Sequence, residues 1–337
     1  MNRRACLLSL ALLLGLVGNA TTAARGLAED AAEFYNGKTL TWIVSTGPGG
    51  GHDFYGRLIA RHIQKFLPGS TVVVKNVPGA GHILGANTVY ASKPDGLTIG
   101  SFSTGLVYAQ IVDMQGIRFD LGKMSWIGKA ASDPRVMVVS NKSPFRTLDD
   151  MRKSEQPILF VTSGIGGGSF IEANMVSRAF GLKGKFLTGY SGNEGTMSML
   201  RGETHAAMDG SETSMALVER GDGFLMMQFG KEIPNVPDGR DYATSDDAKK
   251  IVSLLEAQSV LARITAGPPG IPADRLAVLR DAYRKALESP ELLADAAKAK
   301  RTIKPMYGEA VDESIRRALN QPPDVVELLK SLVTKID

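Results

Sequence analysis

Hydroxyl groups, glycines and a helix start occur together twice in this sequence. Ser45-Thr46-Gly47-Pro48-Gly49-Gly50-Gly51 runs into His52-Asp53-Phe54, and Thr162-Ser163-Gly164-Ile165-Gly166-Gly167-Gly168 runs into Ser169-Phe170. Each follows an apolar run, Trp42-Ile43-Val44 or Leu159-Phe160-Val161, so each reads as a buried strand, a glycine turn and a helix. Glycine lets the backbone take φ > 0 and come close to a ligand. The helix behind the turn offers unpaired N–H groups and the positive end of its dipole, which together favour an anion. One such turn alone is equally an ordinary strand-to-helix corner. A matched pair suggests two anion cradles, and two cradles facing one cleft suit a ligand with two acidic ends. The chemistry implied is capture, with no bond made or broken.

Competing chemistries find less support. A nucleotide P-loop needs Gly-Lys-Ser/Thr at its end, and neither turn has that lysine; both also miss the last glycine of a dinucleotide fingerprint. The histidines are His52, His62, His82 and His205, without the spacing of a zinc site. A meeting of His52, Asp53 and His82 at a cleft edge is weaker than His52 capping its helix or donating to a ligand carboxylate. No Gly-x-Ser-x-Gly elbow occurs, so no catalytic residue is expected, and neither a metal nor a cofactor. Asp53, in a first helical turn, is expected to order the loop through the dipole. Asp209 would orient a loop or accept from a ligand amine or hydroxyl. Tyr190 offers a stacking face and a hydroxyl, or packing against a hinge. His62 is expected on a solvated helix face, and Met226 and Met227 in a core.

The elements that hold these groups alternate. A strand over 39–45 leads to a helix over 52–66, with Ile59, Ile63, Phe66 and Leu67 on one face. A β-branched strand over 71–75, a glycine turn over 76–81, a helix over about 82–92 and a strand over 97–102 follow. That rhythm indicates a parallel sheet with helices on its faces. Trp126-Ile127-Gly128 and Val136 to Val139 read as strands leaving this domain, and Thr147 as the N-cap of a short helix. A second α/β unit starts at Ile158 and includes the turn Tyr190 to Gly195 and a strand over 206–210. Residues 231–250 read as a surface excursion. A strand over 260–266 returns, and the helices after Pro272 are expected to pack on the first domain. Two crossings between the domains would make a hinge of paired strands.

A chain of 337 residues, 43% hydrophobic and 22% charged, is long enough for two domains with cores of their own. Its formal net charge of +4 comes without basic runs, so no nucleic-acid partner is implied. Met1 to Arg4 is basic, Cys6 to Val17 is a short apolar run, and small residues follow to Ala24, which is the pattern of a secretory signal peptide over 1–24. The only cysteine, Cys6, would leave with it, so neither disulfide nor thiol chemistry is expected. The simplest reading is an exported, periplasmic, monomeric protein.

Three motifs carry a family resemblance: Pro48-Gly49-Gly50-Gly51-His52-Asp53 with Arg57, Val72 to Gly81 with Asn76-Val77-Pro78-Gly79-Ala80-Gly81, and Pro94-Asp95-Gly96-Leu97-Thr98. In this order they resemble the receptors of tripartite tricarboxylate transporters, the Bug-type periplasmic solute-binding proteins, over nearly all of the mature chain. The resemblance implies a two-lobed α/β periplasmic binding protein fold, type II-like and hinged by two crossover strands. The first lobe would hold 25–132 and 262–337, and the second 133–261. It implies capture of a small carboxylate between the lobes and delivery to integral membrane permease subunits of a secondary transporter. A signalling receptor is the nearest alternative, and an exported enzyme acting on a carboxylate a more distant one. The family's ligand loops map onto Ser45, Thr46, Gly47, Pro48, Gly49, Gly50, His52, Asp53, Ser103 and Thr104 in the first lobe. In the second they map onto Ser163, Gly164, Gly167, Ser169, Tyr190, Asn193, Asp209 and Ser211. Backbone N–H groups and the hydroxyls of Ser45, Thr46, Ser103, Thr104, Ser163 and Ser169 would bind the anion, with helix dipoles in place of a formal positive charge. His52, Val77 and His82 depart from the family's usual small residue, arginine and glycine, and Tyr190 to Glu194 lacks a common lysine. These departures bear on which acid is bound.

Overall fold

The computed structural model describes residues 31–334; the leader expected over 1–24 lies outside them. Strand β1 (Thr39–Val44) buries Trp42, Ile43 and Val44 and pairs in parallel with β2 (Thr71–Asn76) and β3 (Thr98–Phe102). Helices α1 (Gly51–Ile63) and α2 (Ile83–Tyr90) make the crossovers, and α3 (Gly105–Ile111) follows β3. Strand β4 (Ser125–Ala131) belongs to this same sheet, contrary to the expectation that it leaves: β10 (Ala262–Gly267) lies antiparallel between β3 and β4 and ties it in. With β11 (Met306–Tyr307) the order is β11-β4-β10-β3-β1-β2.

The second sheet starts at β5 (Arg135–Ser140), followed by α4 (Leu148–Lys153), whose first turn is closed by a capping box between Thr147 and Asp150. Strand β6 (Ile158–Val161), α5 (Gly168–Phe180), β7 (Gly184–Leu187), α6 (Glu194–Arg201), β8 (Ala206–Gly210), α7 (Ser211–Glu219) and β9 (Gly223–Phe229) complete it, in the order β7-β6-β8-β5-β9. Met226 and Met227 of β9 are core. The excursion expected over 231–250 ends in α8 (Asp246–Ser259). Ser245 caps it, Asp246 and Asp247 favour its dipole, and Ile251, Val252, Leu254 and Leu255 bury its inner face.

The chain leaves the first sheet at 132–134 and returns at 260–261, and the two segments run side by side. Asp133 N–H donates to Ser259 O at 2.9 Å, and Lys129 Nζ donates to Val260 O at 2.6 Å and to Ser132 Oγ at 2.8 Å. Helices α9 (Ala273–Glu288), α10 (Pro290–Lys298) and α11 (Glu309–Leu319) cover the first sheet. His62 is buried rather than solvated, because α10 lies over that face of α1 and its Asp295 meets His62 Nε2 at 3.0 Å. The last helix, α12 (Pro323–Thr334), departs from the expected packing on the first domain. Its Val325, Leu328, Leu329 and Leu332 join the core of the second sheet with Phe170, Ile171 and Met175. Tyr108 of α3 enters the same core and donates to Leu254 O at 2.9 Å. Leu329→Ala should therefore cost about 2–5 kcal/mol, the price of a full core truncation. Denaturant unfolding measures it, and a near-zero loss would mean that α12 is not docked.

Candidate functional site

The carboxyl ends of β1, β3 and β6 and the glycine turns behind them face one another across a cavity of about 160 Å³. That is the space of roughly five liquid waters. Both turns lead into thirteen-residue helices, α1 with Gly50 at its N-cap and α5 with Gly167 at its own, and neither cap is filled by a side chain. The two walls meet almost without side chains. Gly47 N–H donates to Ser191 Oγ at 2.7 Å, and a Cβ on Gly192 would fall 2.3 Å from Pro48 O. A Cβ on Gly81 would fall 2.3 Å from the Gly167 nitrogen, so only glycine permits that approach.

Of the residues expected at the site, Thr46, Gly50, His52, Ser103, Thr104, Ser163, Ser169, Tyr190 and Asp209 line the cavity. The others serve the frame. Ser45 is buried and donates to Ser101 O at 3.1 Å. Gly47 and Pro48 abut Ser191 and Gly192, Gly164 and Gly167 abut Gly81, and Asn193 sits at the start of α6 near Gly49. Asp53 turns from the cavity to order the first loop, accepting from Gly49 N–H at 3.1 Å, Arg57 Nε at 3.0 Å and Asn76 Nδ2 at 2.8 Å. Burial would raise its carboxyl pKa, but those hydrogen bonds outweigh burial and hold it below the usual range. Ser211 donates to Asp133 at 3.2 Å. His52 caps nothing; its ring lies 6.1 Å from that of His82. Among the described residues no group of three His, Cys, Asp or Glu is placed to hold a metal ion.

The expectation that helix dipoles stand in for formal charge needs correcting, because Arg135 and Arg263 both reach the cavity. Arg263 rises from β10 with φ +60°, an uncommon conformation for a residue with a Cβ, just before the strand's register shifts. Its Nη2 donates to Asp133 at 2.7 Å and its Nη1 to His52 Nε2 at 3.2 Å. Arg135 grips one oxygen of Glu172, with Nε at 3.0 Å and Nη2 closer still. Burial pushes Glu172 up to about 7 against the pull of Arg135, and burial likewise raises Asp209. Burial, helped by Arg263, holds His52 well below its ordinary value, and burial brings His82 down to about 4. A guanidinium only donates, so His52 Nε2 accepts and its Nδ1 carries the hydrogen.

Six cavity-lining side chains end in a buried polar atom with no partner among the described residues: Thr46 Oγ1, His52 Nδ1, His82 Nδ1, Ser214 Oγ, Gln258 (both amide atoms) and Arg263 Nε. Such atoms are uncommon in folded proteins, and their gathering around one space marks where bound groups belong. Arg263 and Glu172 escaped the sequence reading, yet each is a lone charge in an apolar run, Leu261 to Ala266 or Phe170 to Val176. A charge in such a place is paired or functional.

His82 is neutral in the fold and protonated in the unfolded chain below about pH 6.5, so its contribution to stability is present above that pH and is lost as pH falls toward about 4. Glu172 works oppositely, losing stability as pH rises from about 4.5 to about 7. His82→Asn keeps a residue suited to the left-handed backbone at φ +81° while removing one side of this balance. Relative to the parent, its melting temperature should be higher near pH 5 than near pH 7.5. Equal differences at both pH values would show that His82 takes up its proton within the fold.

The sequence matches the family described as tripartite tricarboxylate transporter family receptor over residues 56–315. It is 26% identical over 181 residues to the protein BugT of Bordetella pertussis, a match spanning 51% of this chain and 53%, about half, of BugT. The structure resembles that of the periplasmic binding protein BugD, with TM-score 0.74 and 19% identity over 88% of this chain and 97% of that one. It also resembles MatC of Rhodopseudomonas palustris, solved with bound malate, with TM-score 0.71 and 17% identity over 88% and 99% of the two chains. These two likenesses give the two-lobed periplasmic binding protein fold, and the sequence match gives the family: this chain belongs to the receptors of tripartite tricarboxylate transporters.

Proposed function

We propose that the chain is a periplasmic receptor that closes its two lobes on a small carboxylate and delivers it to the integral membrane permease of a tripartite transporter. The observation that carries this reading is a pair of donors with no partner among the described residues, Arg263 Nε–H and His52 Nδ1–H, with the Thr46 hydroxyl on the same wall. Only an acceptor satisfies the first two, and a carboxylate brings several lone pairs to one place. Membership of the receptor family supports the partner, and the malate held by MatC supports the class of ligand. The lobes would move about the paired segments at 132–134 and 260–261, and contacts such as Gly47 N–H to Ser191 Oγ would form on closure. Binding and release are the whole of the proposed chemistry.

A thermal-shift screen of the purified protein against mono-, di- and tricarboxylates tests the reading. A ligand at about 100 times its Kd adds roughly 2.7 kcal/mol of stability, and silence across the panel would overturn the proposal. Thr46→Val separates binding from folding, because the Thr46 hydroxyl is buried and has no hydrogen-bond partner among the described residues. The ligand-free melting temperature should stay or rise, while affinity for the hit should fall by about five- to tenfold, the worth of one hydrogen bond. Unchanged affinity would remove Thr46 from the site. Delivery is checked by uptake of the labelled hit into cells with and without the receptor, and equal uptake would refute it.

A further inference from the structure

The two walls of the cavity differ in what they lack. On the side of the first sheet two unmatched donors, Arg263 Nε–H and His52 Nδ1–H, lie beside the Thr46 hydroxyl and His82 Nδ1. On the side of the second sheet, beside the neutral Ser214 hydroxyl and the Gln258 amide, the unmatched groups that can carry charge are carboxyl oxygens. Both Arg135 nitrogens that reach Glu172 go to Oε2, so among the described residues no hydrogen bond reaches Glu172 Oε1. Asp209 accepts from Gly210 N–H through Oδ1 at 2.7 Å, and among the described residues no hydrogen bond reaches its Oδ2. Both residues line the cavity.

Charge counts the same way. Arg263 is paired with Asp133 at 2.7 Å and Arg135 with Glu172, so Asp209 has no guanidinium of its own and feels Arg135 and, more weakly, Arg263 only from a distance. The second wall therefore carries two carboxyl groups against one guanidinium in contact. Its members show the shortage: burial raises both, and Arg135 offsets burial only in part. The histidines add no positive charge near neutral pH, since burial keeps His52 and His82 neutral. A second carboxylate on the ligand would enter this wall beside two carboxyl groups that burial already makes reluctant to ionise, with Arg135 as the guanidinium in contact. An ammonium would meet two free carboxylate oxygens with its own donors.

We infer that the ligand carries a single carboxylate, held at the first wall by Arg263, His52 and Thr46, and an amino group directed to Asp209 and Glu172 at the second, so that the receptor takes a zwitterionic amino acid in preference to a diacid. This rests on the carboxylate-receptor reading and narrows it. The twin glycine turns, taken alone, suit an acid at each end; the charged side chains between them reverse the preference at one end.

The test uses matched trios of three- to six-carbon acids: an amino acid, the same acid with hydrogen in place of the amino group, and the diacid with carboxylate in its place. Affinities are read by titration calorimetry near neutral pH. In at least one trio the amino acid should bind roughly tenfold or more tightly than both companions. Asp209→Asn keeps an oxygen for Gly210 N–H and should shrink that advantage to about threefold or less while the diacid gains. Asp209→Ser serves if the first variant does not melt cooperatively. A diacid that equals or exceeds the amino acid in every trio that binds would overturn the inference, as would an advantage untouched by either variant. Should the trios fail together with every acid of the wider carboxylate screen, it is the receptor reading itself that falls.

Discussion

A guanidinium as deeply buried as that of Arg263 requires a counter-charge, and Asp133 supplies it at the place where the chain crosses between the sheets. Removing one member of such a pair leaves the other charged and dry, which typically costs about 3–5 kcal/mol. The pair also has a spatial consequence. Asp133 lies on the outgoing segment and takes bonds from Ser211 and from Glu212 N–H at the start of α7, while Arg263 lies on the returning strand and touches His52 at the start of α1. One ion pair thus joins both crossings to the helix starts on either side of the cavity.

The architecture could be read from the sequence wherever local pattern and tertiary demand agree. Apolar β-branched runs ended by glycine became β1, β2, β3 and β6, and Thr147 became a cap because its side chain satisfies a nearby N–H whatever surrounds it. Helix α8 was hidden because its polar approach, 231–245, has the composition of a loop while its apolar stripe begins only at Ile251. Helix α12 is amphipathic in the sequence, but nothing in it says which of two cores its leucines will find.

The site divides in the same way. Glycine turns announce themselves, since few other residues make them. Their hydroxyl neighbours split between cavity and frame according to the strand's alternation, so Thr46 faces the cavity while Ser45 hydrogen-bonds within the sheet. The charged pairs are different. Arg135 and Glu172 stand 37 positions apart, and Asp133 and Arg263 130 apart, so neither partner is visible from the other until the sheets are assembled. What makes the cavity chemically particular is therefore long-range in sequence, whereas what makes it a cavity is local.

The last two helices set a mechanical limit. Helix α11 ends on the first sheet at Leu319 and α12 begins against the second at Pro323, leaving only Asn320, Gln321 and Pro322 between them. Three residues stretched straight span roughly 10 Å. While α12 stays docked, this short leash ties the two cores together a third time, beside the crossings at 132–134 and 260–261, and would limit how far the lobes could part.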